Sequence, residues 1–224
     1  MRRALPALLL LAPLFLPRVA AAAPDPLEGW NRRVHDFNAL AQRHVLGPAA
    51  EAWRAHVPPP ARHAIGGVLG TLGEPVAAAS ALAAGDLDGA WTATARFGIN
   101  ATLGWAGWRD AAAERGFARR AVTPGDAACA WGVPSGPYLV LPLLGPTTLR
   151  DATAGLALSS ALAAGVGAAP VAAWQGGDAF LAYDRLHDEL RRVEATSLDA
   201  YAVLRSAWLQ RRAAACPGDA APEE

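Results

Sequence analysis

An all-α fold with one irregular excursion is what this sequence predicts, and three observations carry the prediction. Apolar residues recur at three- and four-residue steps through most of the chain, no stretch alternates with the two-residue period of a half-buried strand, and glycine and proline fall between helical stretches as punctuation. The exception is "WGVPSGPYLVLPLLGPTTLRD", residues 131–151, where Gly and Pro crowd out helical spacing.

The chain opens as an export signal. Arg2 and Arg3 precede an apolar run at residues 4–16, and Ala20 to Ala23 are small enough for a signal peptidase, so residues 1–22 are expected to be cleaved. Pro24 suits the first mature position poorly, which favours a cut after Ala21 or Ala22. No cysteine lies near the cut, so no acylation site is expected and any membrane contact must come from side chains. The remaining length, about 200 residues, makes one domain, or at most two small ones, with a sizeable core, taken as residues 23–212, and residues 213–224, ending "PGDAAPEE", read as a polar disordered tail.

The first mature helix is read over residues 25–41. Asp25 is placed to cap it, Pro26 suits the first helical position, and Glu28 stands where a capping box wants a carboxylate. Leu27, Trp30, Val34, Phe37 and Ala41 form an apolar stripe, whereas Glu28, Arg32 and Asp36 lie four apart on the other side and can pair in series. Such a helix either packs on a protein core or lies in a membrane interface.

Further helices are expected at residues 49–56, after Gly47-Pro48, at 61–72, and at 74–84 beyond a break at Gly73, with Pro75 in a first turn. "GDLDGAWTATARFGINATLGW" opens another at Asp86 or Asp88, with Trp91, Ala95 and Ile99 on one side, and residues 115–122 are charged and exposed. In the irregular stretch, Tyr138, Leu139, Val140, Leu143 and Leu144 are bracketed by Gly136-Pro137 and Gly145-Pro146, a hairpin-like excursion with hinge residues at both roots. Pro142 argues against a central strand. The excursion is either a buried loop or a mobile gate. Residues 152–177 carry no charge and read as a buried or membrane-embedded helix broken near 165–170. A last long helix from Asp178 or Phe180 to Arg212 should break at residues 196–199.

Composition excludes several functions. Twenty basic residues, all arginine, balance twenty acidic ones, so there is no electrostatic footprint for nucleic acid. Cys129 and Cys216 could bridge in an oxidising compartment or stay apart, and their spacing does not resemble a metal site. Ser135 in "VPSGP" lacks a nucleophile-elbow frame, and His187, Asp188 and Glu189 are adjacent helix positions that point different ways. His35, His44, His56 and His63 lack ligand partners at matching spacing and read as surface or capping residues. The sequence thus points to no enzyme, no cofactor and no metal.

"DPLEGWNR", "VPPPAR", "GEPVAAASALAAGD", "RFGINATLGWAGWRDAA", the 131–151 stretch and "LDAYAVLRSAWLQRR" together resemble the MlaA (VacJ) family of Gram-negative outer-membrane proteins, collinearly over residues 25–212. The resemblance implies a ring of amphipathic helices around an amphipathic channel, set in the inner leaflet of the outer membrane. It implies removal of mislaid phospholipid from the outer leaflet, delivery to a soluble periplasmic carrier of an ABC transport system, and a trimeric porin as companion. Asp25, Pro26, Glu28, Asn31, Arg32, Glu74 and Pro75 match the family's structural motifs. Gly136, Pro137, Tyr138, Pro142 and Gly145 are expected to line or gate the channel, with Arg150 or Asp151 fixing the root, or Arg150 meeting lipid phosphate. Leu27, Trp30, Val34 and Phe37 would be the membrane-interface face. Gly70, Thr71 and Ser80 depart from the family's asparagines, and Cys129 from its glycine. The competing reading is a soluble periplasmic helical binding or scaffold protein.

Overall fold

The computed structural model describes residues 25–219. The expected cleaved segment and residues 220–224 of the expected tail lie outside the described residues. The fold is all-α apart from one small hairpin.

Helix α1 (Glu28–Ala41) starts later than expected. Asp25 caps it from outside, its Oδ1 accepting the Leu27 N–H at 3.0 Å, so Pro26 lies in the preceding turn. Glu28, rather than closing a capping box, accepts from Arg32 at 2.8 Å, and Arg32 continues to Asp199 instead of Asp36. The expected stop at Gly47-Pro48 does not occur. Backbone angles stay helical through a π turn, Gln42–Leu46, into α2 (Gly47–His56). The π turn shifts the hydrogen-bond register by one, with the Gly47 N–H bonding to Gln42 O, and Pro48's missing N–H falls at that join.

The break expected at Gly73 is also absent: α3 (Pro59–Ala83) runs through it, and Pro75 is interior. Packing explains this. A Cβ on Gly70 would lie 2.4 Å from Arg119 Nη1, and one on Gly73 would touch Trp174, so these glycines admit neighbours rather than end the helix. Arg119 and Trp174 donate to the carbonyls of Gly70 and Leu69, both at 3.0 Å, just upstream of the proline. Antiparallel to α3 packs α4 (Leu87–Thr102), capped by Asp86, which accepts from the Gly89 N–H at 2.9 Å.

A capping box, Thr123 with Asp126, opens the short α5 (Pro124–Ala130). The excursion is an antiparallel hairpin, β1 (Tyr138–Leu141) and β2 (Gly145–Thr148), with Tyr138 opposite Thr148 and Leu141 opposite Gly145. Then α6 (Leu149–Val166) runs to Gly167, whose φ of +95° makes the break expected near 165–170. The last long helix is two: α7 (Ala168–Thr196), beginning about ten residues early, and α8 (Ala200–Ala215) beyond the expected break. The tail is not wholly free. Residues 217–219 form a 3₁₀ turn, and Cys216 and Asp219 are tied into the fold.

The interior is largely alanine and polar side chains. Ala50, Ala64, Ala81, Ala93, Ala111, Ala112 and Ala127 are buried, as are Asn31, Asn38, Glu74, Arg96, Asn100, Arg150 and His187. Alanine lets helix axes approach closely, and the polar groups must then satisfy one another. Helix α6, uncharged beyond Asp151, buries only Arg150 and leaves Leu156 and Val166 exposed, so it is not a core helix.

Candidate functional site

The hairpin lies between α1 and α8, and two asparagines of α1 hold it. Asn31 donates to Tyr138 O at 3.0 Å and accepts the Val140 N–H at 2.8 Å. Asn38 repeats the clasp three strand residues on, donating to Leu141 O at 3.0 Å and accepting the Leu143 N–H at 2.7 Å. The steps match because seven helical residues advance about 10.5 Å and three strand residues about 10 Å. Helix α1 therefore serves β1 as a third strand would, covering an edge whose main-chain groups would otherwise be unpaired. Asn31 is an expected motif residue. Asn38 escaped sequence reading, because one amide beside an apolar stripe is unremarkable until its partner strand is known.

Behind the strand, Val34, Tyr138, Val140 and Tyr201 form the apolar cluster, with Trp208 and Leu209 against it. Burial pushes the Tyr138 phenol up to about 12, and burial and a hydrogen bond to Asp25 raise that of Tyr201. Asp25 thus collects Leu27, Asn31 and Tyr201. Hydrogen bonding to Arg32, which also stacks on the Tyr201 ring at 4.5 Å, draws the Asp199 carboxyl down to about 2.

The root of the hairpin is an ionic knot. Arg150 donates to Asp151 at 3.0 Å, to Asp219 at 2.8 and 3.0 Å, and to Val133 O at 3.0 Å. Arg212 joins Asp126, and Asp151 at 3.0 Å. Arg150 is buried and committed to these internal acceptors, so its geometry fits fixing the root and not meeting a lipid phosphate. The disulfide Cys129–Cys216 borders the knot, its Cα atoms 6.2 Å apart and Cys216 Sγ 3.8 Å from Arg150 Nη1.

At the far end, the tip Pro142, Leu143 and Leu144 projects with both leucines exposed. Leu143 has φ +64°, a left-handed conformation that costs a branched residue about 1–3 kcal/mol and persists only where surroundings impose it, here the Asn38 clasp. Both expected hinges, Gly136 (φ +68°) and Gly145 (φ +81°), are also left-handed. Proline, fixed near φ −65°, would dismantle these turns rather than stiffen them. The root is held by the Arg150 knot, and the tip carries the exposed leucines. Asn31→Ala strands two main-chain groups of β1 and is expected to destabilise by about 2–4 kcal/mol. The Val140 amide should then exchange far faster with deuterium, and unchanged protection would refute the clasp.

On the first helix, Val34 faces inward, while Leu27, Trp30, Phe37 and Leu40 are exposed. Trp105 (81% exposed), Trp131 (78%), Trp91 and Trp108 also face outward. Glu74 lies in α3 at 1% exposure, bonded at 2.7 Å to Arg96, which also reaches Asp110 and Phe117 O. Among the described residues no group of three or more His, Cys, Asp or Glu side chains could hold a metal ion.

The family model described as MlaA lipoprotein matches residues 23–215. The intermembrane phospholipid transport system lipoprotein MlaA of Escherichia coli K12 is 36% identical over 131 residues, covering 57% of this chain and 52% of that protein. Its namesake in Haemophilus influenzae is 34% identical over 139 residues, covering 58% and 53%. The matches thus span about half the length of these curated relatives. An uncharacterised protein of Rickettsia bellii is 30% identical over 199 residues, 85% of this chain and 76% of that one. A solved structure, reported as the structural basis for maintenance of bacterial outer membrane lipid asymmetry, superposes with TM-score 0.77 at 31% identity, covering 86% of this chain and 99% of its own. With the family model spanning almost all of the described residues and the fold shared end to end, this chain belongs to the MlaA family.

Proposed function

We propose that the chain sits in the inner leaflet of the outer membrane, its helices ringing an amphipathic channel, and removes mislocalised phospholipid from the outer leaflet. It passes that lipid to a soluble periplasmic carrier of an ABC transport system, beside a trimeric porin, and so maintains lipid asymmetry. The observation that carries this reading is inverted polarity: tryptophans and leucines face outward while Asn31, Glu74, Arg96 and Arg150 are inside. Helix α3 adds to it, being long and apolar enough to cross a membrane with only 28% of its most apolar stretch buried. Apolar side chains such as Trp30 and Phe37 contribute membrane contact in this reading, on an amphipathic helix that suits an interface.

Lipid tails drawn into water cost roughly 0.8 kcal/mol per CH₂, so a covered path is the catalyst and no bond need be made or broken. In this reading the hairpin tip, with Leu143 left-handed and Leu143 and Leu144 exposed, contacts acyl chains at the mouth of that path. Carbonate washing of outer membranes should leave the protein bound; release would favour the soluble binding-protein reading. In cells lacking their own copy, the chain should lower the phospholipid accessible to external phospholipase. Leu144→Asp, which touches no buried group, should keep abundance and helicity but lose this effect, and full activity would remove the tip from the mechanism.

A further inference from the structure

Where α1 meets α2, the π turn faces the middle of α7 across an open cleft of about 390 Å³, lined by Arg43, Glu51, Tyr183, His187, Arg191 and Glu194. Gly47 makes the approach close, since a Cβ there would lie 3.3 Å from the His187 ring and 2.7 Å from Gln42 O. π turns recur at functional sites because the extra residue re-aims side chains at the cost of one regular hydrogen bond.

His187 is the unusual group. It is 2% exposed, and its Nδ1 lies 2.8 Å from the Tyr183 hydroxyl. We assign the hydroxyl as donor to Nδ1, an assignment that puts the ring proton on Nε2. Nε2 has no hydrogen-bond partner, for Glu51 Oε1 stands 3.7 Å away, beyond hydrogen-bonding distance. A buried donor without an acceptor costs about 1–3 kcal/mol, so it points to an acceptor arriving from outside. Arg43 is exposed on the same rim, Arg191 holds Glu51 at 3.1 Å, and Glu194 Oε1 lies 3.3 Å from His35 Nε2.

Two arginines and two glutamates face one another here, so the cleft carries both signs. A simple anion would leave the glutamates repelling it, and a simple cation would meet the arginines. A ligand bearing both charges a few ångströms apart complements both signs, taking the place of the Arg191–Glu51 contact at 3.1 Å. We propose that this cleft binds a zwitterionic phosphodiester headgroup of the phosphoethanolamine type, its phosphate meeting Arg43, Arg191 and the His187 Nε2–H and its ammonium meeting Glu51 and Glu194. This assignment rests on the phospholipid-handling reading above and gives that reading a headgroup preference. Charge-assisted hydrogen bonds from guanidinium to phosphate supply the affinity, and the paired carboxylates supply the choice of headgroup.

The test uses the full chain in detergent with ¹⁵N-labelled histidine, read by NMR at His187 Nε2. Dihexanoyl phosphatidylethanolamine, glycerophosphoethanolamine and inorganic phosphate are titrated separately. The first two are expected to move the resonance and the third to leave it still. Tighter binding of the dihexanoyl lipid marks a lipid-borne source, and equal binding a free headgroup. R43Q, at an exposed arginine without a folding partner, should weaken binding by about tenfold. A resonance indifferent to all three probes, an equal response to phosphate, or unaltered affinity in R43Q overturns the proposal. The phospholipase assay separates the two ideas: restored asymmetry by a chain whose cleft binds nothing sinks the headgroup site alone, whereas headgroup binding without restored asymmetry sinks transport.

Discussion

Arg96→Ala is expected to cost the fold about 3–5 kcal/mol, the range for stripping the partner from a buried carboxylate. Arg96 is 3% exposed and Glu74 1%, and removing the guanidinium leaves Glu74 with one oxygen already unpartnered and only the longer 3.6 Å contact to Arg119 Nε. The same side chain holds Asp110 at 3.0 Å and Phe117 O at 2.6 Å, so it also fixes the turn that carries Trp105 and Trp108. Urea unfolding followed by circular dichroism measures the loss, and tryptophan quenching reports the loosened turn. Removing both charges together, Glu74→Met with Arg96→Leu, should recover much of the stability, because an apolar pair avoids the desolvation that the ions carry. A double variant as unstable as Arg96→Ala would mean that the ion pair stabilises in its own right.

Removing the disulfide is the second large effect. Cys129 and Cys216 are 87 residues apart, and closing a loop of that size lowers unfolded-chain entropy by about 4–5 kcal/mol, of which 2–5 kcal/mol is typically realised. The bond also keeps Asp219 against Arg150, since the Asp219 N–H donates to Cys216 O at 2.9 Å. Cys129→Ser with Cys216→Ser should therefore lower the unfolding midpoint and weaken the hairpin root. Reductant should bring the unaltered chain to the same midpoint. A midpoint indifferent to reductant would show that the ionic knot alone sets the root.

Two of the misread elements share a cause. Gly73 and Pro75 carry the local signature of a helix break, yet α3 continues because Arg119 and Trp174 pack on its glycines and donate to its carbonyls. Gly47-Pro48 reads as a stop, yet a π turn absorbs the proline. The "PGD" of the tail reads as disorder, but a distant cysteine and a buried arginine order it. For α3 and the tail the deciding contact comes from a residue at least 40 positions away, which local pattern cannot register, whereas at Gly47-Pro48 it is the local π-type bond from Gly47 N–H to Gln42 O.

His187 makes the same point at a site. Its neighbours in sequence suggested nothing, and its partners are Tyr183 one turn back and a cleft wall on α1 and α2 about 140 residues earlier. Asn31 and Asn38 do have a sequence signal, a seven-residue step on one face, but it acquires meaning only with the strand beside it.

By itself the sequence determined what local physics decides. Helical periodicity, the Gly/Pro-bounded excursion, the break after α6 and that before α8, and the oily face of α1 all follow from spacing and backbone preference. Tertiary structure decided which polar groups meet. The asparagine clasp, the Arg150 knot, the Glu74–Arg96 pair, the disulfide and the cleft at the π turn each join segments far apart in the chain. Buried polar groups must find partners wherever the fold brings them, and no short-range pattern encodes that choice.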